Sequence, residues 1–143
     1  MKLNKYLREI GVDESRESFD EKIKEYDSRY LPDDEGFVHA DFFSLDSTFS
    51  LYIYSHLCYF KEHCAKFAVP GSLAEGNFEE GLKKWNSILD KMILAFKLTI
   101  VNDDSTERSH GDYKVRKQLS NRRNKQIKYG MRLFTEYYFS LWY

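Results

Sequence analysis

The sequence predicts an all-α fold, a compact helical bundle of three long helices with one or two short helices at the N-terminus. Three observations carry this reading. Apolar residues recur at spacings of three and four through residues 46–68, 78–99 and 113–142. Only two prolines occur, Pro32 and Pro70, so long stretches are free of the residue that breaks helices. Turn-forming clusters fall between the periodic segments, not inside them.

The first short helix carries Leu3, Tyr6, Leu7 and Ile10 on one face, with Gly11 placed to end it. A second is expected after Asp13 or Ser15, with Phe19, Ile23, Tyr26 and Tyr30 as its stripe, ending before Pro32. Residues 31–45 lack a helical period. Asp33, Asp34, Glu35 and Gly36 read as a turn, while Phe37, Val38, Phe42 and Phe43 form an extended piece or anchor the loop in the core.

The first long helix is expected from about Asp46 to Ala68. Its seam is Phe49, Ile53, Leu57, Phe60, Cys64 and Phe67, and Tyr52, Tyr54 and Tyr59 extend the apolar surface around much of the circumference. Pro70 and Gly71 stop it. Asn77 caps the second long helix, whose stripe is Phe78, Leu82, Trp85, Leu89, Met92, Phe96 and Thr99, about 33 Å long. A polar loop, 102–112, leads to the third. Its stripe begins at Val115 and Leu119 and resumes with Ile127, Met131, Phe134, Tyr138 and Leu141. The interruption at 120–126 leaves two alternatives, one long helix or two joined near Asn121.

The 143 residues fit a single domain, 1–143, with acidic N-terminal helices and loop in 1–45 and the bundle core in 46–143. A chain of this size buries enough surface to fold without disulfide or metal staples. The two cysteines, Cys58 and Cys64, therefore read as free thiols of a reducing compartment. The N-terminus has no apolar stretch of the signal-peptide type, and the longest apolar-rich run, Phe49 to Phe60, is too short to span a bilayer. The expected location is the cytoplasm. Aromatic load is high, at 11 Phe, 11 Tyr and 2 Trp, which suits a ring-rich core or a docking surface. Charge is segregated: residues 1–45 carry 12 acids and 7 bases, and residues 105–143 carry 3 acids and 9 bases.

Two stretches resemble a known family. Residues Trp85 to Phe96 resemble a W-x-x-I-L-x-x-M-I-x-A-F pattern. Residues Gly130 to Phe134, followed by Tyr138 to Trp142, resemble a G-x-x-L-F-x-x-Y-x-x-x-L-W ending. Together they resemble a family of small α-helical proteins encoded by bacteriophages and prophages, for which no activity is defined. The likeness covers about the C-terminal two thirds, from about residue 45, and its motifs are core positions on helices. It implies action inside a bacterial host cell or within a virion, and it brings no site residues.

Catalytic and metal motifs are weak. His56, Cys58, His63 and Cys64 fall within nine residues, with His39 and Asp41 upstream. On one helix, however, His56 and His63 stand about 10 Å apart along the axis and Cys58 points elsewhere, a poor match to tetrahedral zinc. Neither the 33–35 nor the 103–104 acidic cluster has the alternating ligands of a calcium loop. No nucleophile elbow, phosphate loop, dinucleotide fingerprint or zincin motif occurs. The expectation is a protein without catalytic residues, metal or cofactor.

Two binding surfaces remain. The basic set Arg108, Lys114, Arg116, Lys117, Arg122, Arg123, Lys125, Lys128 and Arg132 is interleaved with His110, Tyr113, Asn121 and Tyr129, a mixture suited to phosphate contact. Arg123 lies in the apolar seam of a continuous helix and there needs an acid or a bound anion. The ending LFTEYYFSLWY is the second. Its Phe134, Tyr138, Leu141 and Trp142 suit a core-facing stripe, and Tyr137, Phe139, Trp142 and Tyr143 are candidates for a partner interface. The leading expectation is a non-enzymatic phage accessory protein that binds a host or phage protein, as a host-takeover or counter-defence inhibitor, with homo-oligomer formation open. The alternative is a nucleic-acid or nucleotide-phosphate binder using residues 108–132.

Overall fold

Asn77 starts the helix on which the others rest. Its side chain accepts hydrogen bonds from the Glu79 and Glu80 amides at 3.0 and 3.3 Å, satisfying donors that the first turn leaves open. The structure, a computed structural model, describes residues 3–12, 33–37, 45–101 and 111–142, and every regular element among them is helical. In chain order these are α1 (Lys5–Glu9), α2 (Leu45–His63), α3 (Gly71–Ala74), α4 (Phe78–Ile100) and α5 (Tyr113–Glu136). Short 3-10 turns follow α2 at Ala65–Phe67 and α5 at Tyr138–Ser140. The second N-terminal helix expected after Asp13 lies outside the described residues.

α4 is the shared partner. Trp85, Leu89 and Met92 on it are fully buried, with Ala95 and Phe96 continuing the same face. This is the stripe the heptad spacing predicts, although Phe78 at its start is exposed. α2 and α5 both pack on α4, and their backbones do not approach each other. Trp85 bridges the two flanks. Its ring meets Phe60 of α2 edge-on at 6.4 Å and Tyr137 after α5 at 5.6 Å.

Two glycines on the helices set the distances. A Cβ at Gly130 of α5 would collide with the Lys91 carbonyl and the Ala95 side chain of α4, so the helices cross in close contact there. A Cβ at Gly81 would lie 2.7 Å from the Leu73 carbonyl, so α3 rests directly on the first turns of α4.

α1 closes the side of α2. Asn4 accepts from the Leu7 amide at 3.3 Å, Gly11 takes the left-handed φ of +80° that ends the helix, and Leu7 is fully buried. The acidic turn also forms. One Asp33 carboxylate oxygen accepts from the Glu35 and Phe37 amides at 3.0 and 2.8 Å. Phe37 itself is exposed, so it does not anchor this loop in the core.

The third long helix is continuous. Asp112 caps α5 by accepting from the Lys114 amide at 2.8 Å, and the helix runs unbroken through the polar stretch near Asn121. Two stripes sit differently from their predicted places. On α2 the buried residues are Ser50, Tyr54, Ser55 and Leu57, while Phe49 and Phe67 are exposed. On α5 the buried residues are Gly130 and Leu133, while Met131 and Tyr138 face outward. α2 also ends at His63, earlier than the expected Ala68, and α3 is a turn of helix that the Pro70-Gly71 stop signal concealed.

The Gly130 crossing makes a measurable claim. Gly130→Ala gains about 1 kcal/mol of helix propensity but must push backbone apart, and overpacking costs about 1–3 kcal/mol or more. Urea unfolding is expected to show net destabilisation. Gly111→Ala, where nothing lies within 4 Å of the added Cβ, is expected to stay within about 0.5 kcal/mol of the parent.

Candidate functional site

Because α4 holds α2 and α5 apart, a valley remains between α2 and the C-terminal turn. It forms a groove of about 570 Å³. Phe49, Ile53, Leu57, Phe60 and Cys64 of the predicted α2 seam line one wall, together with Tyr52, His56 and Tyr59. Phe134, Tyr138 and Leu141 line the other. Among the described residues no Lys, Arg, Asp or Glu contributes to it.

The rings of this region are held, not loose. His56 stacks on Tyr52 at 3.9 Å, and its Nδ1 lies 2.7 Å from the Tyr52 carbonyl oxygen. One turn pair further on, His63 lies against Tyr59 at 4.4 Å. On the opposite wall an edge-to-face series runs outward from the core. Phe96 meets Phe134 at 5.2 Å, Phe134 meets Tyr138 at 5.8 Å, and Tyr138 meets Phe139 at 5.4 Å. Phe139 at the end of the series is 91% exposed, and Trp142 is 68% exposed. Tyr137, expected at an interface, instead turns inward against Trp85, and Tyr143 lies outside the described residues. Tyr138 and Phe49, expected in the core, belong to the groove.

Burial pushes the Cys58 thiol up, against a smaller opposing effect of the Tyr54 hydrogen bond, so it stays protonated at neutral pH and is a poor nucleophile. Burial also raises the Tyr54 hydroxyl strongly. No group of three or more potential metal-ligating side chains occurs among the described residues. His39 and Asp41 lie outside them. No helix among the described residues is long and apolar enough to cross a membrane.

The basic candidates divide by face. Lys114, Lys117, Arg122, Lys125, Lys128 and Arg132 are exposed on α5, Arg116 is half-buried, and Arg108 lies outside the described residues. Arg123 does enter the seam, and its guanidinium Nη2 donates to the Leu98 carbonyl oxygen at 3.2 Å. That carbonyl belongs to the last turn of α4, where open acceptors and the negative end of the helix dipole attract a cation. Arg123 is therefore a packing contact between α4 and α5. Tyr129 carries two cations on its ring, Arg132 at 5.1 Å and Lys91 of α4 at 5.7 Å. Sequence spacing along α5 alone gives no sign of Lys91, which only the helix crossing brings there.

One further cluster ties α1 to α2. Glu62 accepts from the Tyr6 hydroxyl at 2.6 Å and from Lys5 Nζ at 2.9 Å. The Tyr6 hydrogen bond, then that of Lys5, holds the Glu62 carboxyl below its ordinary value. The Glu62 hydrogen bond, then Tyr6, raises Lys5. Burial first, then Glu62, raises Tyr6.

No family model, curated protein or solved structure matches the chain.

The α1 cluster has a pH signature. A depressed carboxyl contributes stability above its unfolded pKa and loses it as pH falls through the folded value, whereas the raised Lys5 and Tyr6 lose theirs as pH rises through their folded values. The tie therefore holds across neutral pH and opens at both ends, on the acid side below the ordinary carboxylate range. Amide hydrogen exchange at Leu7 and Val12 is expected to accelerate in acid relative to α4. Glu62→Gln is expected to show fast exchange at neutral pH with little further change on acidification.

Proposed function

We propose that the protein is a non-enzymatic binding module that docks a protein partner through the aromatic groove. The observation that supports this most is the fate of the α2 seam. Phe49, Ile53, Leu57, Phe60 and Cys64 have the spacing of a helix face made for burial, yet only Leu57 is buried and all five line a groove. Among its lining rings Phe49, Tyr52, Tyr59 and Tyr138 are each more than half exposed, as are Phe139 and Trp142, the chain neighbours of lining residues Tyr138 and Leu141. At roughly 200 Å² per ring they present roughly 750 Å², close to the ~800 Å² that each partner contributes to a standard interface.

The chemistry of the walls selects the partner. With no Lys, Arg, Asp or Glu in the lining among the described residues, a small charged ligand gains little there, whereas an apolar segment of another protein desolvates the rings without stranding an ion. In the phage setting that the C-terminal resemblance implies, that partner is a host protein met in the bacterial cytoplasm, and blocking it for host takeover or counter-defence is the corresponding role.

Site-specific photocrosslinking tests the reading. With p-benzoylphenylalanine at Phe139, one discrete host-protein adduct is expected, and at Tyr113, an exposed ring on α5, none. Tyr52→Glu with Tyr138→Glu is expected to abolish the adduct while circular dichroism stays helical. An adduct that survives both substitutions, or forms equally from Tyr113, sinks the groove as the docking site. An adduct at twice the mass of the chain identifies a second copy as the occupant and overturns the host-protein assignment.

A further inference from the structure

The exposed side of α5 is a separate surface with its own chemistry. Lys114, Lys117, Asn121, Lys125, Lys128 and Arg132 follow one another at spacings of 3, 4, 4, 3 and 4, and all are exposed. On a helix of 3.6 residues per turn those positions form a single stripe about 27 Å long. It lies on the side away from Gly130 and Leu133, which face α4. Arg122 and Gln118, also exposed, flank it. Glu136, in the final turn, is the one acid in α5. Among the described residues none of the five cations on the stripe pairs with a carboxylate.

We infer that this face binds the phosphate backbone of a nucleic-acid duplex. A run of five like charges on one face destabilises a helix through its own repulsion, and a polyanion relieves that cost. The duplex presents one phosphate per ~1.7 Å of axis, so a 27 Å stripe meets many of them. A single α-helix, roughly 10–12 Å across, also matches the ~12 Å major groove. The face suits a duplex better than single strands, which need a row of rings for stacking. Tyr129 beside it already carries Lys91 and Arg132, and Tyr113 at its N-terminal end is a single exposed ring. Asn121 and Gln118 lie between the cations as the side chains able to reach base edges, and the lysines supply sequence-independent affinity. This surface shares none of its residues with the aromatic groove, so it stands whether or not the groove docks a protein.

The experiment is a salt titration of fluorescence anisotropy with a 20-base-pair DNA duplex and the full chain. Five phosphate contacts give a slope of log affinity against log salt near −4.5, or roughly a 500-fold loss between 50 and 200 mM KCl. Lys117→Ala, Lys125→Ala and Lys128→Ala together are expected to weaken binding at 50 mM KCl and flatten the slope by about 3. Lys83→Ala with Lys84→Ala, on α4, is expected to leave both unchanged. The three stripe lysines are exposed, so retained helical circular dichroism separates lost binding from lost fold. The inference is overturned if the duplex does not bind at 50 mM KCl, if the triple variant keeps the parent slope, or if a single strand of equal length or an anionic phosphatidylglycerol vesicle binds more tightly than the duplex.

Discussion

The approach of α5 onto α4 at Gly130 is the constraint on which the rest of the structure depends. With no side chain at 130, the α5 backbone rests on the Lys91 carbonyl and the Ala95 methyl. That contact fixes the rotation of α5. Leu133 is then driven into the core, Phe134 reaches Phe96, and Tyr137 reaches Trp85. It also sends Arg123 to the open end of α4 and brings Lys91 over Tyr129. A methyl group at 130 would separate the helices and loosen all of these together, because packed interfaces transmit displacement instead of absorbing it.

How far the sequence reveals this fold depends on the contrast between faces. α4 is legible because its stripe is narrow and its other sides are charged, and Asn77 marks its start. α2 is not, because it is apolar nearly all round and periodicity alone does not choose the face that meets α4. Two serines, Ser50 and Ser55, are buried on it, yet they carry no apolar signal. Of the regular seam, Phe49 is left exposed at the groove, while Ile53 and Phe60 line it and also pack against the core. On α5 the misreading has a geometric source. Steps of four residues from Val115 through Leu119, Arg123 and Ile127 advance about 40° too far each time on a helix of 3.6 residues per turn. By Met131 the chain of steps has left the core side, while Gly130 and Leu133 occupy it.

The candidate surfaces were legible to different degrees for the same reason. Cationic character belongs to side chains whatever they face, so the basic run is visible in the sequence, and only Arg123 changes role when α4 is placed beside it. The groove belongs to no segment. It is the space that α4 leaves by keeping α2 and the C-terminal turn apart, and its walls come from residues separated by seventy or more positions. Tyr138 illustrates the point. Its ring reads as core from spacing, but once α5 ends at Glu136 and the chain tightens into a 3-10 turn, that ring swings to the groove wall.

The two surfaces differ in the force each offers a partner, and that difference separates them without knowledge of either partner. Ring burial in an uncharged groove is a hydrophobic contribution, insensitive to moderate salt and strengthened by strongly hydrated anions such as sulfate. A cationic stripe acts through counterion release and loses affinity steeply over the same range. The cations of α5 are spread along an exposed helix and the rings converge on a valley, so a ligand that spans both surfaces must respond to salt in two phases. A ligand held by one surface responds in a single phase, and the sign of its response identifies which.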